Sequence, residues 1–188
     1  MFRSKPRLES WSPQTFAGVG KSILGDDATA DFIIRCPTKE FSVHRNILCA
    51  RSEVFRASIL TPMQEAARGE IFIKEIGEKA LTSVIHYIYT GELELGENPD
   101  ILDLAWAGTK YLLPGFMDLL ALQVMKLDLS GEMIADLLIA AHRHEIEVLR
   151  RLALDKIRGD REIFNDPGFR KEMEEAPNAV MMDLFKDL

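Results

Sequence analysis

Cysteine is scarce in this chain of 188 residues: Cys36 and Cys49 are the only two, no CxxC pair occurs, and no secretory apolar segment is visible. These shortages argue against a disulfide scaffold and a thiolate metal centre, and they point to a reducing compartment where both thiols serve as small apolar side chains. Long apolar runs are also missing, and nothing approaches the roughly 20 residues that a helix needs to cross a bilayer. Positive charge is the third shortage, with 23 lysines and arginines against 30 carboxylates and a formal charge of −7. Nucleic-acid binding by counterion release needs a net basic face, so the expected partners are proteins, with no nucleic acid and no membrane. What the chain does have is apolar side chain, 47% of its residues, which argues against disorder, and a length that suits one domain with a real core, or one domain plus a small appendage.

The stretch "TFAGVGKS", Thr15 to Ser22, ends like a phosphate-cradling P-loop. Such a loop needs glycine at its first position and a buried strand leading in. Here Thr15 holds the glycine position, and the preceding "RLESWSPQ" is polar and broken by Pro13. A nucleotide hydrolase is therefore not expected, and Phe16 to Ile23 needs another purpose. The basic start "MFRSKPR" could suggest a targeting presequence, but Pro6 and Pro13 interrupt any amphipathic helix, so residues 1–14 read as a flexible arm.

From Asp31 the pattern is strand, turn, strand: "DFIIRC", then Pro37-Thr38-Lys39, then "EFSV". "HRNILCARSEVFRASIL" carries apolar residues at helical spacing and reads as two short helices, with Ser52 capping the second. "EIFIKEI" gives a third strand, and "GEKALTSVIHYIYTGEL" a helix stopped by Gly91. Beyond it everything reads as helix, beginning with Asn98 as N-cap and Pro99 at the first helical position. The further segments are Pro114 to Leu127, Ser130 to His144, Glu145 to Arg158, and two short helices around Phe169 and Val180. The fold class is α+β: a small mixed sheet flanked by helices, followed by an all-helical extension.

Catalytic and metal-binding patterns are hard to find. His142 and His144 stand two apart on a helix and so diverge, and His86 has no cysteine or carboxylate at ligand spacing. Asp26-Asp27 and Glu174-Glu175 are adjacent pairs, which does not place two carboxyls around one substrate atom. Neither cysteine has a histidine placed nearby, and Ser52 does not sit on a nucleophile elbow. No catalytic residue, metal or cofactor is expected, and the chain reads as a non-enzyme.

The segment from Asp31 to Leu95 resembles the BTB/POZ domain family through "ADFIIRC", "EFSVHRNILCARSEVFRASI", "IFIKEI" and "VIHYIYTGEL", in that order and with family-like spacing. Asp31, Phe41, His44-Arg45, Leu48, Ser52, Phe55 and Tyr89-Thr90-Gly91 fall on signature positions. From chemistry alone Asp31 is either an exposed strand-start residue or the partner of His44 or Arg45. The resemblance implies the pair, in a charged pocket near the centre of a dimer. It further implies that a helix before the first strand packs on its two-fold mate through Phe16, Val19 and Ile23, joined by Ile47. Gly20 departs from the large apolar residue preferred there.

The remainder, from Pro99, resembles the helical extension of speckle-type POZ proteins, whose paired helices, called the 3-box, extend a cullin-binding groove. Residues 15–125 would then be the BTB/POZ domain with its dimerisation helix, and 126–188 the extension. "ILTPMQEAARGE" places Met63-Gln64-Glu65 where the family's ubiquitin-ligase adaptors carry a hydrophobic-x-Glu cullin-3 contact motif. The implied function is a non-catalytic adaptor that binds the cullin-3 N-terminal domain through Ile59, Met63, Glu65 and Tyr111. It would dimerise with itself or another BTB protein and present a protein substrate of unknown identity for ubiquitination and degradation, in the nucleus or cytoplasm. About thirty residues precede the first strand, with no substrate-binding domain of the meprin-and-TRAF-homology type and no kelch repeats visible. The rival implication is a homo- or heterodimerisation module, or a transcriptional scaffold, without ligase activity.

Overall fold

A computed structural model describes residues 16–61, 69–96 and 99–187. The arm expected over residues 1–14 lies outside the described residues, as do Met63, Glu65 and Asn98.

Helix α1 (Phe16–Leu24) precedes a hairpin of β1 (Phe32–Arg35) and β2 (Glu40–Val43), turned at Pro37-Thr38-Lys39 as its residues predict. The strands pair antiparallel with Phe32 opposite Val43 and Arg35 opposite Glu40. After α2 (Arg45–Arg51) and α3 (Glu53–Leu60), β3 (Glu70–Phe72) returns parallel to β1. The sheet order β2-β1-β3 puts β1 in the middle. β3 is shorter than "EIFIKEI" suggests. The Ile73 N–H still donates to the Arg35 carbonyl at 2.8 Å, but Ile73 and Ile76 then turn their side chains into the core.

Helix α4 (Glu78–Thr90) buries Leu81, Val84, Ile85 and Ile88 and ends at Gly91, which takes a left-handed φ of 73° open to glycine without a Cβ clash. Helix α1 lies across this end. A Cβ on Gly20 would stand 2.1 Å from the Tyr89 carbonyl oxygen, so glycine lets the two backbones meet. That contact accounts for the missing large side chain in α1: at this position the helix packs on its own chain.

Helix α5 (Ile101–Lys110) begins later than its sequence suggests. Asp100, not Asn98, is the cap, accepting from the Asp103 N–H at 2.9 Å. Asp103 in turn accepts from the Gly77 N–H at 2.7 Å, tying the start of α5 to the start of α4. An aspartate cap is as good as asparagine, and this one leaves the next carboxylate free to reach α4.

Helices α6 (Phe116–Met125), α7 (Gly131–Arg143) and α8 (Glu147–Gly159) follow, then a 3-10 turn (Arg161–Asn165), α9 (Pro167–Glu174) and α10 (Asn178–Asp187). The α5–α6 and α7–α8 hairpins close alike. Leu112 (φ 46°) and Glu145 (φ 55°) adopt left-handed backbone, and the next residues, Leu113 and Ile146, donate back to the Gly108 and Ala141 carbonyls and bury their side chains. The later helices join the earlier unit through α8, which packs on α6. Lys156 on α8 donates to the Met125 and Leu127 carbonyls at 3.0 and 2.7 Å, filling acceptors that the end of α6 leaves open.

Alanine is favoured over glycine in a helix by about 1 kcal/mol, so Gly20→Ala in an unconstrained helix would stabilise. Here overpacking against the Tyr89 carbonyl should reverse the sign and cost at least about 1 kcal/mol in urea denaturation. A neutral or stabilised variant would contradict the α1–α4 contact.

Candidate protein-docking site

His44 is buried between two elements. Its backbone N–H donates to the Tyr89 hydroxyl at 2.7 Å, its Nδ1 lies 2.9 Å from the same hydroxyl, and its Nε2 lies 2.9 Å from the Thr29 hydroxyl. Thr29 Oγ1 is also 2.9 Å from a carboxylate oxygen of Asp26. A carboxylate only accepts, so the Thr29 proton goes to Asp26 and Nε2–H donates to Thr29. With Nε2 as the donor, Nδ1 accepts from Tyr89, and every donor in this relay has a partner.

Asp31 and Arg45 meet beside this chain through the backbone. Asp31 Oδ1 accepts from the Arg45 N–H at 2.8 Å, and Arg45 Nε donates to the Asp31 carbonyl at 3.3 Å. The exposed carboxylate therefore caps α2 from just ahead of β1, while the Arg45 guanidinium lies 4.9 Å from the centre of the Phe32 ring. The three residues expected to form a charged pocket are brought together, with His44 taken inside and Asp31 at the surface.

The residues expected to face a cullin divide differently. Ile59 and Tyr111 are 5% and 3% exposed, and Tyr111 stacks on Phe55 with ring centres 4.5 Å apart. Ser52 accepts from the Phe55 N–H as the cap its sequence predicts, and its hydroxyl also donates to the Tyr111 carbonyl at 2.6 Å. Ile59 and Tyr111 are thus core side chains. Their chain neighbours Leu60 and Leu112 carry the exposed apolar surface, at 64% and 57%.

On the expected dimer face, Val19 is 39% exposed, while Ile23 and Ile47 are half-buried against the chain's own core. Phe16 opens α1, and its side chain lies outside the described residues. "GVGKS" lies inside α1, where its amides cannot wrap a phosphate, and Lys21 pairs with Glu92 and Glu94. Asp26 is engaged in its own turn, and His144 lies beside Trp106, ring centres 5.7 Å apart. Among the described residues no helix is long and apolar enough to cross a membrane.

Comparison with known proteins gives this geometry its family. The BTB/POZ domain profile matches residues 22–124, more than half of the chain. The chain belongs to the BTB/POZ domain family. Kelch-like protein 40 of Xenopus tropicalis is 34% identical over 87 residues, covering 45% of this chain and 14% of that protein. Kelch-like protein 40 of Homo sapiens is 33% identical over 94 residues, covering 50% of this chain and 15% of that protein. The matched segment thus spans about one seventh of the length of these curated relatives. The solved BTB domain of zebrafish PATZ1 aligns over all of its own length and 63% of this chain, with a TM-score of 0.46 and 16% identity. These sequence relatives are kelch-like, which corrects the speckle-type resemblance to the broader BTB/POZ membership, and the profile stops at residue 124, ahead of α7.

In this BTB/POZ chain the family's Tyr-Thr-Gly signature has a physical reading. Tyr89 joins α4 to the hairpin through His44, and Gly91 ends the helix. Sequence reasoning placed Tyr89 on the signature without seeing its partner. Burial, with a smaller push from the Asp31 charge, raises the Tyr89 hydroxyl from 10.0 to about 12, against the His44 N–H, which lowers it. Burial likewise holds Tyr111 above the usual tyrosine range. A folded-state pKa above the unfolded one means that stability is fully present below pH 10 and lost as the pH rises towards 12. Tyr89→Phe should cost about 1–3 kcal/mol at neutral pH by stranding the His44 donor and acceptor. Urea titrations repeated from neutral pH through this alkaline range should show a shallower alkaline loss in the variant. An equal loss in both proteins would contradict the assignment.

Proposed function

We propose that this chain is a non-catalytic adaptor that links a protein substrate to a cullin-3 ubiquitin ligase, promoting ubiquitination and degradation in the nucleus or cytoplasm. The observation that carries the reading is the BTB/POZ match over residues 22–124, with Met63-Gln64-Glu65 standing just after α3. A methionine there offers an adaptable apolar plug, and a glutamate offers charge-assisted acceptance of hydrogen bonds. In this reading residues 15–125 form the BTB/POZ unit and 126–188 a 3-box-like extension. Ile59 and Tyr111 support the cullin face from beneath, and Leu60 and Leu112 supply its exposed contacts. Leu112 holds its position at a backbone φ of 46°, where leucine is strained, so the hairpin that projects it is a fixed feature of the surface.

Dimerisation, with a second copy or another BTB protein, would use Phe16, Val19, Ile23 and Ile47, with Asp31, His44 and Arg45 near the centre. The burial of Ile59 and Tyr111 favours the second reading, a dimerisation module or transcriptional scaffold without ligase activity, because it takes two apolar contacts off the cullin face.

Calorimetric titration with the cullin-3 N-terminal domain separates the two. Binding by the intact chain that Met63→Ala/Glu65→Ala weakens by more than about 2 kcal/mol, the range of hot-spot residues, supports the adaptor. The variant's circular dichroism should match the parent's. No binding by the intact chain would leave the dimerisation module.

A further inference from the structure

Gly91 reverses the chain at the end of α4, and the segment that leaves it runs back beside the helix. Glu92 and Glu94 are thereby brought to His86, with one ligand atom from each of the three within 4.8 Å of the others. His86 has no cysteine or carboxylate at the short spacings that signal a metal site in sequence, so the cluster is a product of the reversal.

Two further features bear on what the cluster can hold. Nδ1 of His86 faces the Glu92 carbonyl oxygen at 3.2 Å. A carbonyl only accepts, so Nδ1 carries the proton, which leaves Nε2 as the ring atom able to bind a metal. Metal-binding histidines are oriented in this way, by a backbone carbonyl that fixes the tautomer from outside the coordination sphere. The carboxylates also already hold a cation: the Lys21 ammonium on α1 lies 3.1 Å from Glu92 Oε2 and 3.6 Å from Glu94 Oε1. Its hydrogen bond to Glu92, together with that carboxylate's charge, holds Lys21 above the usual lysine range.

The geometry points to a divalent transition-metal site of the zinc class formed by His86, Glu92 and Glu94, for which the Lys21 ammonium is the resident competitor. One imidazole nitrogen with two carboxylate oxygens suits zinc and its neighbours, whereas calcium and magnesium take oxygen ligands. Glu92 and Glu94 are exposed and His86 is half-buried, so small rotamer changes can close the donors onto bonds of about 2.0–2.2 Å, with water completing the shell. Binding displaces Lys21. It replaces a tether between α1 and the end of α4 with metal bonds confined to α4 and the segment after it.

Zinc chloride titrated calorimetrically into the full chain tests this, with magnesium chloride as the control. One zinc per chain is expected, with no magnesium heat. His86→Gln keeps an amide donor for the Glu92 carbonyl but loses the ring lone pair, and should weaken zinc at least tenfold. Glu94→Gln, at an exposed position, should do the same if the histidine variant folds poorly. Lys21→Met removes the competitor and no ligand, so it should tighten zinc several-fold. Absence of binding at millimolar zinc would overturn the site, as would zinc binding that neither ligand variant changes. Unchanged affinity in Lys21→Met would overturn the competition.

Discussion

Tyr89, one residue short of the end of α4, meets two separated parts of the chain at once. Its carbonyl lies where a side chain on Gly20 of α1 would have to go, and its hydroxyl joins both the backbone and the ring of His44 at the start of α2. The neighbouring Ile88 carbonyl accepts from Arg51 at the end of α2. One helical turn thus fixes the N-terminal helix and the crossover between β2 and β3. A buried hydroxyl and a buried imidazole tolerate this only because each satisfies the other.

The consequence for function is positional. With the end of the hairpin and α2 held against α4, and α3 packed on α2, Ser52 can bond the Tyr111 carbonyl, and Phe55 can stack on the Tyr111 ring. The α5–α6 corner is therefore fixed to the start of α3, whose far end carries Leu60, one of the proposed cullin contacts. Binding surfaces built on packed helices are pre-ordered, so less affinity is lost to ordering them. The helices beyond α6 are anchored by the same kind of bond, Lys156 filling the carbonyls at the end of α6.

What was legible in the sequence was local. The Pro-Thr-Lys turn, the Ser52 cap and the Gly91 stop each depend on a few adjacent residues, and each lies where its residues predict. The α5 start differs from its sequence expectation because Asn-Pro and Asp100 are both good signals two residues apart, and the bond from the Gly77 N–H to Asp103 comes from a distant segment. Gly20 departs from the large apolar residue preferred in α1 because its reason lies in α4. Family resemblance names Ile59 and Tyr111 as cullin contacts but carries no information on orientation, and both point inward. The His86 cluster escaped because carboxylates six and eight residues on are not neighbours along a helix. A left-handed glycine had to bring them back.

The central proposal is that this BTB/POZ chain carries cullin-3 as a dimer, and sedimentation of the chain with the cullin-3 N-terminal domain, each at micromolar concentration, tests it most directly. The account predicts a single species with two copies of each protein. A chain that sediments as a monomer and leaves the cullin domain free would contradict it.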